Sequence, residues 1–320
     1  MSSGSLEEKF IFVSDINGER FVPENGYQIS AFDHGFLYGD GVFEGIRIYG
    51  PPDIPKPRIF KLDAHIDRLY ASAEAIGLKI PYTREQLVEK IIEVCRKNKL
   101  QTGYIRPIVT RGIGDLGLNP KKCPKPTVVI IAQQIQLYPK ELYEKGLTAI
   151  IAKTPRIPVR SLSPNVKSLN YLNNIQAVRE ANAEGVHEAI MLDQDGFIAE
   201  GSADNFFMVS KGCVYTPTER NCLKGITRAV IKEICLANKI PFYETDIHPT
   251  DLYKKADECF LTGTAAEIVP VTKIKNAPLP EGTTGVLTLG DGLPGPMTKK
   301  LTQLFREYIK DEKNSTPIYH

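Results

Sequence analysis

Lys167 sits in a loop broken by Pro158 and Pro164, just ahead of a helical pattern over Asn170 to Glu184. Downstream come Glu200 in Glu200-Gly201-Ser202-Ala203-Asp204-Asn205, then Gly225-Ile226-Thr227-Arg228, then Gly263-Thr264-Ala265-Ala266-Glu267. An amine in such a loop is either a solvated charge or a nucleophile able to condense with a carbonyl. Each glycine turn can offer backbone N–H groups and a threonine hydroxyl to an anion. Taken singly, each is an ordinary structural feature. Together they supply an amine, a carboxylate and two anion-binding turns. Pyridoxal phosphate requires that set: the amine forms a Schiff base, and the carboxylate keeps the ring nitrogen protonated so that the ring can accept electrons. Tyr171, four residues beyond Lys167, is close enough in sequence to share its site.

These residues need elements to hold them. Asn170 reads as the N-cap of the helix after Lys167, with Leu172, Ile175, Ala177 and Val178 at core spacing. The chain opens with a strand over Lys9 to Val13 and an Asn17-Gly18 hairpin turn. Gly39-Asp40-Gly41 resembles a phosphate loop, but a strand pattern (Phe43, Ile46, Ile48) follows it and no Lys-Ser/Thr does. Two amphipathic helices come next, one burying Leu62, Ile66, Leu69, Ala73 and Ile76, the other Leu87, Val88, Ile91, Ile92 and Cys95. The strand Tyr104 to Arg111 puts Tyr104, Arg106, Ile108 and Thr110 on one face. A glycine-rich loop, 112–120, leads to a strand at Thr127 to Ala132. The polar segment 133–140 reads as an interdomain linker, separating a small N-terminal domain, 1–132, from a larger C-terminal one, 141–320, of alternating strands and helices. Met1 to Ser5 and Asp311 to His320 are expected to be loose.

The 320 residues carry a net charge of +2 and are 42% hydrophobic. That balance allows a sizeable core and gives no basic surface for nucleic acid. No apolar run is long enough for a membrane span. The six cysteines are scattered without a C-x-x-C pair, the pattern of reduced thiols in a cytoplasm and not of a disulfide frame or zinc site.

An ordered set of motifs now carries a resemblance. It comprises Tyr38-Gly39-x-x-x-Phe43-Glu44-Gly45-Ile46-Arg47, His65-x-x-Arg68-Leu69, Tyr104-Ile105-Arg106-Pro107, Lys167-x-x-Asn170-Tyr171, Glu200-Gly201-x-x-x-Asn205 and the two glycine turns. The chain resembles the fold-type IV pyridoxal-phosphate enzymes, and among them the branched-chain amino-acid aminotransferases. The resemblance implies an α+β, two-domain fold like that of D-amino-acid aminotransferase, with a barrel-like sheet in the larger domain. It implies a ping-pong transfer of the amino group of L-leucine, L-isoleucine or L-valine to 2-oxoglutarate.

Carried over by residue, it makes Lys167 the Schiff-base lysine and proton shuttle, Glu200 the partner of the ring nitrogen and Tyr171 that of the phenolic oxygen. Arg68, the backbone of Ile226 and Thr227, the Thr227 and Thr264 hydroxyls and the turn at Gly263 would hold the cofactor's phosphate. The Thr264 and Ala265 amides would face the substrate carboxylate, and Phe43, Gly45, Tyr104 and Arg106 would line the substrate pocket. His65 reads as a supporting residue, not a catalyst. Tyr38 and the loop 112–118 would reach a neighbouring subunit's site, so a homodimer is the smallest active unit implied. One motif departs from the pattern. Branched-chain enzymes commonly carry Pro-Trp-Gly in the linker, whereas this chain has Gln133 to Tyr138 there and no tryptophan anywhere. A D-amino-acid or (R)-amine transaminase, or an aminodeoxychorismate lyase, is therefore the alternative on the same fold.

Overall fold

The computed structural model describes residues 8–135, 138–277 and 285–319. In chain order its elements are β1 (Phe10–Asp15), β2 (Gly18–Pro23), α1 (His34–Tyr38), β3 (Gly41–Phe43), β4 (Ile46–Tyr49), β5 (Arg58–Phe60), α2 (Leu62–Ala75), α3 (Arg84–Lys97), β6 (Gly103–Thr110) and β7 (Thr127–Gln133). Then come α4 (Lys140–Lys145), β8 (Leu147–Ile151), α5 (Leu172–Ala183), β9 (Glu188–Leu192), β10 (Ile198–Gly201), β11 (Asn205–Ser210), β12 (Cys213–Thr216), α6 (Ile226–Ala237) and β13 (Phe242–Glu244). Last are α7 (Asp251–Lys254), β14 (Glu258–Gly263), β15 (Glu267–Ile274), β16 (Leu287–Thr288), α8 (Pro296–Tyr308) and β17 (Ser315–Pro317).

The chain forms two units. The first comprises Met1–Ile135, Val166–Asn170 and Ile309–His320; the second comprises Gln136–Asn165 and Tyr171–Tyr308. This differs from a single cut at 133–140. Gln133 ends β7 and Lys140 begins α4, while residues 136–137 lie outside the described residues. Two later segments also join the first unit, for a backbone reason. The Phe43 N–H donates to the Lys167 carbonyl at 3.0 Å, and β17 pairs antiparallel with β5. Asp311 to Tyr319 is thus a packed segment and not a loose end, with Ile318 fully buried; Met1 to Ser5 lie outside the described residues.

In the first unit an antiparallel sheet runs β17-β5-β4-β6-β7-β1-β2, with β3 also on β6. Helices α2 and α3 bury Leu62, Ile66, Leu69 and Ala73 and Leu87, Ile91, Val94 and Cys95 into the same core as Ile46, Ile48, Ile105 and Val109. The hydrophobic periodicity of both helices was legible because each must cover one sheet face. A capping box between Thr83 and Gln86 starts α3.

The second unit is a mixed, curled half-barrel in the order β10-β9-β8-β15-β14-β11-β12-β13. Helix α5 corrects the sequence reading twice. It begins at Leu172, its N-cap is Tyr171, and no side-chain cap bond is made there. Asn170 belongs instead to the short segment of the first unit, its N–H donating to Ser168 Oγ. The buried face of α5 is Asn174, Ala177 and Ala181, while Leu172, Ile175 and Val178 are exposed. Small alanines let the helix lie close on β8 and β9, packed with Ile150, Ala189 and Met191, and Asn174 donates to the Ser202 carbonyl at 2.6 Å.

Candidate active site

In the first unit, Lys167 lies on a short extended stretch stitched to β3. Leu169 N–H donates to the Gly41 carbonyl at 2.9 Å, and Lys167 N–H to Ser72 Oγ of α2 at 3.2 Å. Gly41 permits this approach, since a Cβ there would meet Leu169 Cδ1 and the Val109 carbonyl at 2.6 Å. The Lys167 Nζ stands 4.7 Å from the centre of the Phe43 ring. The guanidinium of Arg106, from β6, stands 5.0 Å from the same centre and donates to the Tyr104 hydroxyl at 3.0 Å. Tyr104 and Arg106 share a strand face, as their alternation requires. Gly45 completes the group: a Cβ there would lie 1.7 Å from the Tyr104 hydroxyl oxygen. The structure therefore brings together Lys167, Phe43, Gly45, Tyr104 and Arg106.

Arg68 has a different neighbour. Its Nε and Nη2 donate to the two carboxylate oxygens of Glu44 at 2.6 and 2.9 Å, and His65 Nδ1 lies 2.8 Å from Glu44 Oε2. Burial pushes the Glu44 carboxyl up, but Arg68 and His65 outweigh it and hold it well below the ordinary carboxylate range. Burial also holds the His65 imidazole below its ordinary pKa, with Glu44 opposing. His65, buried in the core, meets Glu44 beside Arg68. The bidentate pair fixes the plane of the Arg68 guanidinium.

Tyr38 ends α1, its hydroxyl donating to the Leu116 carbonyl at 2.6 Å. The loop 112–118 is joined to α1 through Gly114 N–H to the Phe32 carbonyl and His34 N–H to the Gly112 carbonyl.

In the second unit, Glu200 is buried at the end of β10. Its Oε1 accepts from Arg156 Nε at 2.6 Å and its Oε2 from the Leu223 N–H at 3.0 Å. Arg156 was missed by sequence reasoning. Its backbone N–H donates to the Leu192 carbonyl, and its Nη1 donates to Asn173 Oδ1 at 3.2 Å. Nothing local in the sequence marks it, since its partner lies 44 residues away. Tyr171 precedes the first turn of α5 in this unit.

Gly225 is the N-cap of α6 and gives it no side-chain cap bond, so the first amides, Ile226 and Thr227 among them, are not taken by a capping side chain. Arg228, almost fully buried, pins this turn by donating to Glu219 Oε1 at 3.0 Å and to the Pro217 carbonyl at 2.9 Å. The second turn, Gly263 to Glu267, links β14 to β15 as a hairpin. Both glycines answer to packing: a Cβ on Gly225 would meet Asn205 Oδ1, and one on Gly263 would meet Asp204 Oδ1, each at 1.8 Å. No group of acidic, histidine or cysteine side chains able to hold a metal occurs among the described residues.

A profile of the family Amino-transferase class IV matches residues 41–274. The chain belongs to that family. This class IV aminotransferase is 45% identical over 293 residues, 91% of its length and 94% of the relative's, to a putative branched-chain-amino-acid aminotransferase of Methanocaldococcus jannaschii. It is 33% identical over 296 residues, 92% of its length and 97% of the relative's, to a D-alanine aminotransferase of Staphylococcus epidermidis. The solved branched-chain amino acid aminotransferase of Escherichia coli superposes with a TM-score of 0.88 at 30% identity, over 98% of this chain and 100% of that one. Another solved branched-chain amino acid aminotransferase, holding pyridoxamine 5′-phosphate, superposes with a TM-score of 0.88 at 33% identity, over 98% of this chain and 99% of that one. Pyridoxal 5′-phosphate is the cofactor of this enzyme class. The residues present fit it: an amine beside an aromatic ring, a buried carboxylate for a ring nitrogen, and a helix N-terminus without a side-chain cap for a phosphate.

Proposed function

We propose that this aminotransferase moves the amino group of L-leucine, L-isoleucine or L-valine to 2-oxoglutarate in ping-pong order. One observation carries the reading most. A single aromatic ring, Phe43, has the Lys167 amine and the Arg106 guanidinium within 5.0 Å of its centre. An apolar wall beside the reacting amine suits a branched aliphatic side chain. A cation on that wall suits the second carboxylate of 2-oxoglutarate, which an all-apolar pocket would reject. The extent of the likeness to the archaeal branched-chain relative supports the same substrates.

Bound pyridoxal phosphate supplies the electron sink that lets the Cα–H bond of an amino acid break. The chain's own groups do the rest. Lys167 would hold the cofactor through its amine and, once the amino donor has displaced that amine, would carry the proton lost from Cα. Glu200, oriented by Arg156, accepts from the ring nitrogen, and Tyr171 donates to the phenolic oxygen. Arg68, the Ile226 and Thr227 amides, and the Thr227 and Thr264 hydroxyls beside Gly263 hold the phosphate. The Thr264 and Ala265 amides receive the substrate carboxylate, with Gly45 and Tyr104 shaping the pocket. Tyr38 acts within a homodimer or larger homo-oligomer; Phe32 and Phe36, just before and on α1, and Leu116 and Leu118, on the loop bonded to Tyr38, are exposed and suited to burial against another copy. The six cysteines are unbridged, consistent with the cytoplasm.

A donor panel tests the reading. With 2-oxoglutarate as acceptor, L-leucine, L-isoleucine and L-valine should outpace D-alanine and (R)-1-phenylethylamine. The reverse order would favour the D-amino-acid reading, which rests on the likeness to D-alanine aminotransferase and on the absence of tryptophan.

A further inference from the structure

Among the described residues, five other than glycine have positive φ: Lys61, Lys99, Lys211, Lys239 and Glu267. The four lysines stand in exposed or half-exposed turns, where the left-handed region is tolerated. Glu267 differs. It is 7% exposed, has φ +60°, and directly follows the Thr264–Ala266 turn as the first residue of β15. A side chain strains the backbone in that region, and glycine is the residue that usually avoids the strain. Strain of this kind persists where the surroundings over-determine it.

Arg306 of α8 is what holds it. Its two terminal nitrogens donate to the two carboxylate oxygens of Glu267, Nη1 to Oε1 at 3.2 Å and Nη2 to Oε2 at closer range. The other end of α8 is fixed to the same hairpin. Glu258, the first residue of β14, accepts from the N–H groups of Met297 and Thr298 at 2.9 and 2.8 Å and from the Thr298 hydroxyl at 2.7 Å. Helix α8 thus splints the β14–β15 hairpin from its root at Glu258 to its tip at Glu267.

We propose that Arg306 is a positioning residue for the substrate carboxylate, acting through Glu267 to hold the Thr264 and Ala265 amides in the orientation that receives it. The proposal rests on the role given above to those amides. Backbone donors cannot swing to follow a ligand as a side chain can, so their aim depends on the turn. Every amino acid and 2-oxo acid in the reaction carries this carboxylate. Loss of the grip should therefore weaken donor and acceptor alike. A clamp that merely fastens α8 would lower the melting temperature and leave the Michaelis constants alone.

The test uses the holoenzyme with Arg306→Met, Arg306→Lys and Glu267→Gly. Glycine adopts the left-handed region freely, so Glu267→Gly removes the grip without adding strain. Arg306→Met and Glu267→Gly should raise KM for L-leucine and for 2-oxoglutarate together by roughly tenfold, the scale of one lost charge-assisted contact. The lysine variant should fall between, with kcat nearly unchanged. In the cofactor-free protein, hydrogen exchange at the amides of residues 264–266 should quicken in both severe variants. Wild-type KM with only a lower melting temperature, or a KM change confined to one substrate, would overturn the proposal. A wild-type protein that transaminates nothing in the donor panel would instead overturn the functional reading, and the exchange result would still report on the grip.

Discussion

Leucine needs only an apolar wall, whereas glutamate brings a second carboxylate that is costly to bury unpaired. In the proposed function Arg106, beside Phe43 and bonded to Tyr104, is the cation that would meet it. Arg106→Leu should weaken 2-oxoglutarate and glutamate, by about 1.5–3 kcal/mol in kcat/KM, while largely sparing L-leucine and 4-methyl-2-oxopentanoate. Steady-state kinetics with both pairs decides it, and an equal loss for both would make Arg106 structural. Glu44 gives a second prediction at this scale. Its folded carboxyl titrates well below the ordinary range, so the unfolded chain takes up that proton first. The stability it contributes is complete above about pH 4.3 and drains as the pH falls through that value toward the folded one. His65, held below its ordinary pKa by burial, also binds its proton more readily when unfolded, so the loss begins below about pH 6.5. Urea midpoints should fall steadily from pH 7 to pH 4. Glu44→Gln should cost about 3 kcal/mol at pH 7, since it removes the buried charge that Arg68 and His65 face, and should flatten the lower part of that decline. An unchanged acid slope would show that another carboxylate controls it.

Among the elements, α8 has its start held by one side chain. Glu258 accepts from two N–H groups and a hydroxyl at the start of the helix, donors that a helix cannot satisfy from within. Glu258→Ala should cost about 1–3 kcal/mol, read as a lower urea midpoint; a shift within error would mean that other groups or water take up those donors. How much of such architecture was legible varied with its cause. Helices α2 and α3 were readable because aliphatic residues at helical spacing must cover a sheet. Helix α5 misled because it packs through Ala177 and Ala181, and its larger apolar residues face outward. Strand β15 is hard to read because Pro270 interrupts its apolar run, and a proline demotes a strand pattern. Among the candidate site residues, Lys167, Glu200 and the two turns were legible only as an ordered set. Arg156 and Arg306 were not visible, because each matters through a partner 44 or 39 residues distant, and charge pairing over such spans leaves no periodic trace.

At the scale of the molecule, the exposed Phe32, Phe36, Leu116 and Leu118 predict association. Light scattering should find a dimer or larger assembly for the natural chain. Phe36→Lys combined with Leu118→Glu should shift it toward monomer with much reduced turnover, and an active monomer would remove the neighbour from the site. The threading of the chain has a consequence for its birth. The first sheet is almost complete once residue 133 has been made, but it lacks β17 as its edge strand and Ile318 in its core. The stretch bearing Lys167 also joins that unit only after part of the other has been synthesised. Vectorial synthesis therefore cannot finish one unit before starting the next, although domains commonly mature in that order. A nascent chain that has reached β7 does not yet carry Lys167. The amine takes its place beside Phe43 only as the fold draws its later segments back to the first sheet.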